Sequence, residues 1–172
     1  MYARTSNIVQ KSDADLKTLR EAGVNDLYVG VECGLNDVLL RLNKGYSADE
    51  TRRQCLRLND AGIRHCDLLM LGTAGKGRGL ECARASARLE NEIKPARILI
   101  NTMSAFAGTE LDGDIKNGAF IPASEKEILE ERIMNGTVYF SCKTGMSRFW
   151  MAFFMVTVSS FCPEKCSMDR MA

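Results

Sequence analysis

The chain has 172 residues, 45% of them hydrophobic, which is enough for one domain with a buried core. Its 23 basic and 22 acidic side chains leave a formal charge of +1, so charge gives no case for a nucleic-acid or anionic-membrane partner. The seven cysteines, odd in number and scattered through helix-like and strand-like segments, argue against a disulfide framework. With no basic-then-apolar leader at the N-terminus, reduced thiols in a cytoplasm are expected.

Along the chain the pattern alternates. Ser6 to Gln10 (SNIVQ) reads as a short strand. Ser12 and Asp13 offer caps for a helix whose Leu16 and Leu19 fall three apart, ending at Gly23. Leu27 to Val31 is mostly apolar on both faces, as a parallel strand covered by helices should be. That run ends abruptly in Glu32-Cys33-Gly34, and Asn36 to Leu42 continues as a short helix. Ser47, with Glu50 three residues on, spells a capping box for a helix that runs to Asp60 and stops at Gly62. Ile63 to Leu71 is the next strand, followed by the glycine-rich GTAGKGRG. Leu80 to Ile93 is helical, Pro95 breaks it, and Arg97 to Met103 is another strand.

Strands alternating with helices over short connections predict βαβ units and a parallel sheet. Chemistry in such sheets sits beyond the carboxyl ends of the strands. Those ends are Glu32-Cys33-Gly34, Leu71 to Gly75, and Asn101 to Ser104. Glu32 therefore stands where a parallel barrel places a ligand-contacting side chain, with a plain salt bridge at a strand end as the even alternative. Lys44, after the short helix, reads by itself as a solvated charge.

The glycine-rich loop fails the P-loop pattern, because Gly72 lies only three residues before Gly75-Lys76 and Gly77 follows the lysine. Its amides suit a carboxylate or a ribose, and a flexible turn suits the sequence nearly as well. His65, the sole histidine, falls within a strand pattern and reads as structural. A serine or cysteine hydrolase would depend on that one histidine, and there is no G-x-S-x-G elbow. Cys162 and Cys166 in CPEKC supply two thiolates, half a site, so no metal site is expected there. Phe149 to Phe161 is strongly apolar but well short of the roughly 20 residues that span a bilayer, and reads as a core segment.

From Tyr2 to about Glu131 the sequence resembles the radical S-adenosylmethionine (SAM) superfamily, in particular proteins related to oxygen-independent coproporphyrinogen III oxidase and B12-binding-type radical enzymes. The phrases that carry the resemblance are YARTSNIVQKSDADLKTLREAG, LYVGVECGLNDVLLRLNKGYSADE, LGTAGKG, ARLENEIKPARILINTMSAFAGTEL and ASEKEILEE. The resemblance implies an α/β fold, a partial (βα) TIM-type barrel of about four parallel strands, standing for the third to sixth strands of the family's six-unit barrel. It implies a [4Fe–4S] cluster held by a C-x3-C-x2-C loop, which reductively cleaves SAM to a 5′-deoxyadenosyl radical. Glu32 falls where the family's fourth strand presents a polar side chain to SAM. Lys44 matches an Arg or Lys near the SAM carboxylate. Gly72 and Gly75 match the loop that passes the adenine.

This chain departs from the pattern. The cluster loop and the second-strand Gly-Glu segment are absent from it, Cys33 replaces the usual serine beside Glu32, and Ala105 and Ala107 stand where proline is common. The expected organisation is a partial radical SAM barrel over residues 1–135 and a divergent apolar tail over 136–172. The expected function is that of a radical SAM-type enzyme fragment, inactive alone because no cluster ligands are present. A half-barrel binding or assembly module, or a small anion-binding α/β protein using the Gly72–Gly75 loop, are the alternatives. The implied partners are a small-molecule substrate, and either a second copy of the chain or the missing N-terminal half of the barrel. The tail segment Phe149–Phe161 is expected to cover the open barrel or join two chains there.

Overall fold

The structure is a computed structural model that describes residues 1–144. Its centre is a four-stranded sheet, all parallel, in the order β1 (Tyr2–Arg4), β2 (Asp26–Glu32), β3 (Arg64–Leu71), β4 (Arg97–Thr102). Between them run α1 (Thr5–Val9), α2 (Asp13–Glu21), α3 (Asn36–Arg41), α4 (Ala48–Asp60) and α5 (Gly79–Ile93), with α6 (Glu110–Asn117) and α7 (Glu125–Thr144) following β4. The predicted α/β class and parallel sheet are what the chain adopts. Among the described residues no helix is long and apolar enough to cross a membrane. The expectations placed on Phe149–Phe161, Cys162 and Cys166 lie outside the described residues.

One predicted strand is corrected. Ser6–Gln10 is not extended: Thr5–Val9 forms α1, and the first strand is the three residues before it. Tyr2, Ala3 and Arg4 pair with Tyr28, Val29 and Gly30. The Asn7 side chain then accepts from the Arg4 amide at 2.9 Å and turns the chain into the helix. Of the pair Ile8–Val9, Ile8 is buried and Val9 exposed, which is a helix's use of adjacent residues on a core surface. The register of the first strand was hidden because Tyr-Ala-Arg carries no apolar run.

Helix ends follow their local chemistry. Ser12 and Asp15 cap α2 reciprocally, each side chain bonding the other's amide. Ser47 accepts from the Glu50 amide at 3.1 Å, but the return bond of a capping box is not made, because the Glu50 carboxylate is taken by Arg53 and Gln54. The cap on α4 is therefore one-way, and Ser47→Ala should cost about 1 kcal/mol, read as a lower urea midpoint at unchanged m value. Helix α5 ends at Lys94, in the left-handed region at φ +51, because the residue before Pro95 is pushed out of the helical conformation. Helix α7 runs from Glu125 past residue 136 without a break, so the change in sequence character there is not the end of an element.

Alternation along the strands separates two faces. Leu27, Val29 and Val31 of β2 and Leu69 of β3 join Ile8, Leu16, Cys55, Leu58, Leu89 and Ile93 in one core, with Ala3, Ile98 and Ile100 packed against it. All the helices that contribute to this core therefore lie on one side of the sheet. The opposite face carries Tyr2 and Arg4, Tyr28 and Gly30, Cys66 and Leu68, and Arg97 and Leu99, row by row in the register. It is the concave face of the partial barrel, and the strands deliver their carboxyl ends to its rim.

Candidate functional site at the end of the second strand

The tip of β2 is irregular. Its pairing with β3 slips between Gly30 and Glu32, and Glu32 takes a left-handed backbone at φ +67. A side-chain-bearing residue there costs of order 1 kcal/mol, which the surrounding structure has to hold in place. What the strain achieves is direction. The Glu32 side chain turns over Gly30 on the concave face, so closely that a Cβ at Gly30 would meet Oε1 at 3.0 Å.

Lys44 reaches the same point from the turn after α3, where Asn43 is also left-handed at φ +52. Its Nζ lies 2.6 Å from Glu32 Oε1, in a pair that is only 25% and 11% exposed. The Arg4 guanidinium donates to the Lys44 carbonyl at 3.1 Å, and the Tyr46 hydroxyl donates to the Gly30 carbonyl at 2.7 Å. Burial, reinforced by the Glu32 charge, pushes the Tyr46 hydroxyl up to about 12. A hollow of about 260 Å³ adjoins these groups, lined by Tyr2, Arg4, Tyr28, Gly30 and Leu68 among others. The rings of Tyr2 and Tyr28 stack at 5.1 Å on its wall. Glu32 and Lys44, singled out in the sequence, are thus brought together.

Gly72 and Gly75 lie at the end of the neighbouring strand, and their surroundings differ. Both have positive φ, +80 and +79, so the turn requires glycine. The Gly72 amide donates to Glu131 Oε2 of α7 at 2.9 Å, and the Gly77 amide to Glu127 Oε1 at 2.7 Å. The Lys76 amide donates to the Ile121 carbonyl, and a Cβ at Gly75 would press on the Phe120 ring at 2.8 Å. Arg41 closes this edge, its guanidinium over the Phe120 ring at 4.2 Å while it donates to the Thr73 carbonyl. The loop does cradle carboxylates, and they are the chain's own.

Sequence reading missed Arg4, Tyr46, Arg41 and Glu131. Arg4 was lost with the misplaced first strand. Glu127 and Glu131 are four apart on one helix face, a visible spacing, but nothing in it says which loop the face meets.

No family model matches the chain. It is 24% identical over 119 residues to the tRNA uridine(34) acetyltransferase of Methanocaldococcus jannaschii, and 25% identical over 120 residues to that of Methanocaldococcus infernus. The match covers 69% of this chain but only 22% of each relative, so the chain spans about a fifth of their length. Among solved structures, the archaeal Methanocaldococcus infernus Elp3 with an N-terminal deletion superposes with a TM-score of 0.64 at 23% identity, covering 78% of this chain and 31% of that one. Coproporphyrinogen III oxidase (HemN) from Escherichia coli, a radical SAM enzyme, superposes with a TM-score of 0.66 at 15% identity, covering 82% and 31%. The fold is that of part of the barrel in these structures.

Radical SAM proteins use SAM and a [4Fe–4S] cluster, and the two groups fare differently against these residues. For the cluster the fit fails. Among the described residues the free thiols are Cys33, Cys55, Cys66 and Cys82, all buried. Cys33 and Cys82 share the core beneath α3, Cys55 sits in the main core, and Cys66 is on the opposite face of the sheet. No three of them converge on the rim. The Cys33 and Cys82 thiols pair with each other, which holds the Cys33 pKa down and the Cys82 pKa up. For the aminoacyl end of SAM the fit is good, because the Glu32–Lys44 pair offers one carboxylate and one ammonium side by side at the open face.

Proposed function

We propose that the end of β2 binds the aminoacyl end of SAM or a similar zwitterion, and that the chain acts as the SAM-facing part of a radical SAM-type barrel. The observation that carries this reading is the strained Glu32, turned over Gly30 to meet Lys44 at 2.6 Å on the concave face. An amino acid end brings an ammonium and a carboxylate. Lys44 can pass from Glu32 to the ligand carboxylate while Glu32 accepts from the ligand ammonium, so two charge-assisted bonds replace one and no net charge is buried. Arg4, on the Lys44 carbonyl, and Tyr46, on the Gly30 carbonyl, hold the backbone from which both side chains project.

SAM, when bound, supplies a sulfonium that radical SAM enzymes cleave reductively for hydrogen abstraction. The described residues present no set of ligands to hold the cluster that provides the electron, so this chain by itself is proposed to bind without cleaving. The named activity of the archaeal relatives, on tRNA uridine 34, belongs to proteins of which this chain spans about a fifth. What carries over is the barrel, and the charge of +1 favours a small-molecule ligand over nucleic acid. The four free cysteines among the described residues suit a reducing compartment such as the cytoplasm.

Titration calorimetry with SAM and with methylthioadenosine, which lacks the aminoacyl end, tests the reading. Glu32→Gln and Lys44→Ala should each weaken SAM binding about tenfold, the worth of one charge-assisted hydrogen bond, and leave methylthioadenosine unchanged. Equal binding of the two ligands, or binding of neither, refutes it. The half-barrel assembly reading then stands on β1, whose outer edge has no strand partner among the described residues.

A further inference from the structure

On the helix-covered face, away from the proposed SAM site, three side chains of metal-binding type meet in the core. Cys55 points from α4, and His65 and Asp67 from alternate positions of β3. One ligand atom from each lies within 4.8 Å of the other two. Cys55 and Asp67 are fully buried and His65 is 1% exposed. His65 Nδ1 and Asp67 Oδ1 are 2.7 Å apart, but His65 Nε2 and Asp67 Oδ2, both buried, have no hydrogen-bond partner. An unpaired buried polar atom is costly, and two in one cluster are uncommon in a core otherwise built mostly of Leu, Ile and Val.

We propose that Cys55, His65 and Asp67 bind a single divalent transition ion of the zinc class, as a structural site tying α4 to β3. The donor set of one sulfur, one imidazole nitrogen and one carboxylate oxygen suits a borderline-soft tetrahedral ion and disfavours magnesium or calcium, which take oxygen alone. At the usual bond lengths a tetrahedral ion holds its ligand atoms roughly 3.5 Å apart, so atoms that lie within 4.8 Å of one another need to close by at most about 1.3 Å. Charge closes as well: a thiolate and a carboxylate balance a dication, and the imidazole binds neutral. Glu90, buried on α5, is close enough to act on Cys55 electrostatically. Full burial means that the ion enters as the chain folds and exchanges only on unfolding.

The test uses the full chain, unfolded in denaturant with chelator and refolded with zinc, with cobalt(II), or with neither. Because Cys162 and Cys166 are a second source of thiolate, it is run on a chain carrying Cys162→Ser and Cys166→Ser. The proposal expects one equivalent of metal per chain and a thermal midpoint higher with zinc than without. It also expects the visible absorption of tetrahedral cobalt, with a charge-transfer band of one-thiolate intensity. A two-thiolate band would place the ion on the Cys33–Cys82 pair instead and overturn the assignment. So would a midpoint indifferent to zinc. Cys55→Ser in the same background should abolish the charge-transfer band. Should that variant not refold, the band's intensity and the zinc-dependent midpoint decide without it.

Discussion

Gly34→Ala should lower stability by about 3 kcal/mol, the upper end of what one inserted methyl costs in a tight core, and bring the thermal midpoint down by about 10 °C. A Cβ at Gly34 would lie 2.4 Å from the Ala85 carbonyl carbon, 2.5 Å from its oxygen and 2.6 Å from the Ser86 nitrogen. These are backbone atoms of α5, so no rotamer change relieves the contact; the helix itself has to move. It is also tied at that point, because the Gly34 amide donates to Ser86 Oγ at 3.0 Å. Gly113, inside α6 with nothing within 4 Å of a built Cβ, is the control. There alanine should stabilise by about 0.5–1 kcal/mol through helix propensity. Urea titrations that give the two variants the same midpoint would mean that β2 does not exit against the α5 backbone as described.

The same contact explains part of what the sequence made legible. Apolar alternation and caps were enough to place β2, β3 and β4 and the helices between them, because each element carries its own period and its own stop signal at Gly23, Gly62 or Pro95. The strand-end position of Glu32 followed from topology alone. What was not legible depends on contacts distant in sequence. The three-residue β1 is held by pairing with β2 rather than by any pattern of its own. The partner of the Gly72 amide sits fifty-nine residues away. His65 read as a structural residue within a strand, and it lies buried in β3, but its neighbour Cys55 comes from another element, and no spacing within one segment joins them. Helices α6 and α7 did have local signals that went unread, Thr109 with Asp112 and Ser124 with Glu127, each hydroxyl accepting from the amide three residues on.

Glu131 is the residue whose removal should next most disturb this fold. Its side chain is buried beside the Gly72 amide and Cys82, where α7 packs on α5 and β3. Glu131→Ala would leave the Gly72 amide without an acceptor and open space under α7, at a cost of about 3 kcal/mol. Glu131→Gln separates shape from charge. Burial raises the Glu131 pKa above the ordinary carboxylate value, more than the Gly72 amide lowers it. A native state that holds a proton already released by the unfolded chain loses stability as pH rises. The contribution is therefore whole below the unfolded carboxylate pKa and is lost as pH climbs through the raised folded value. Glutamine keeps an oxygen for the Gly72 amide and never ionises. Its stability relative to the wild type should accordingly grow with pH across that window and then level off. Urea midpoints of the two chains measured at successive pH values decide the matter, since a difference that stays flat would mean that no buried carboxyl titrates there. The outcome bears on the ligand site too. While Glu131 occupies the Gly72 amide, that amide is closed to a zwitterion arriving at the rim, and the proposed contact falls to the Glu32–Lys44 pair.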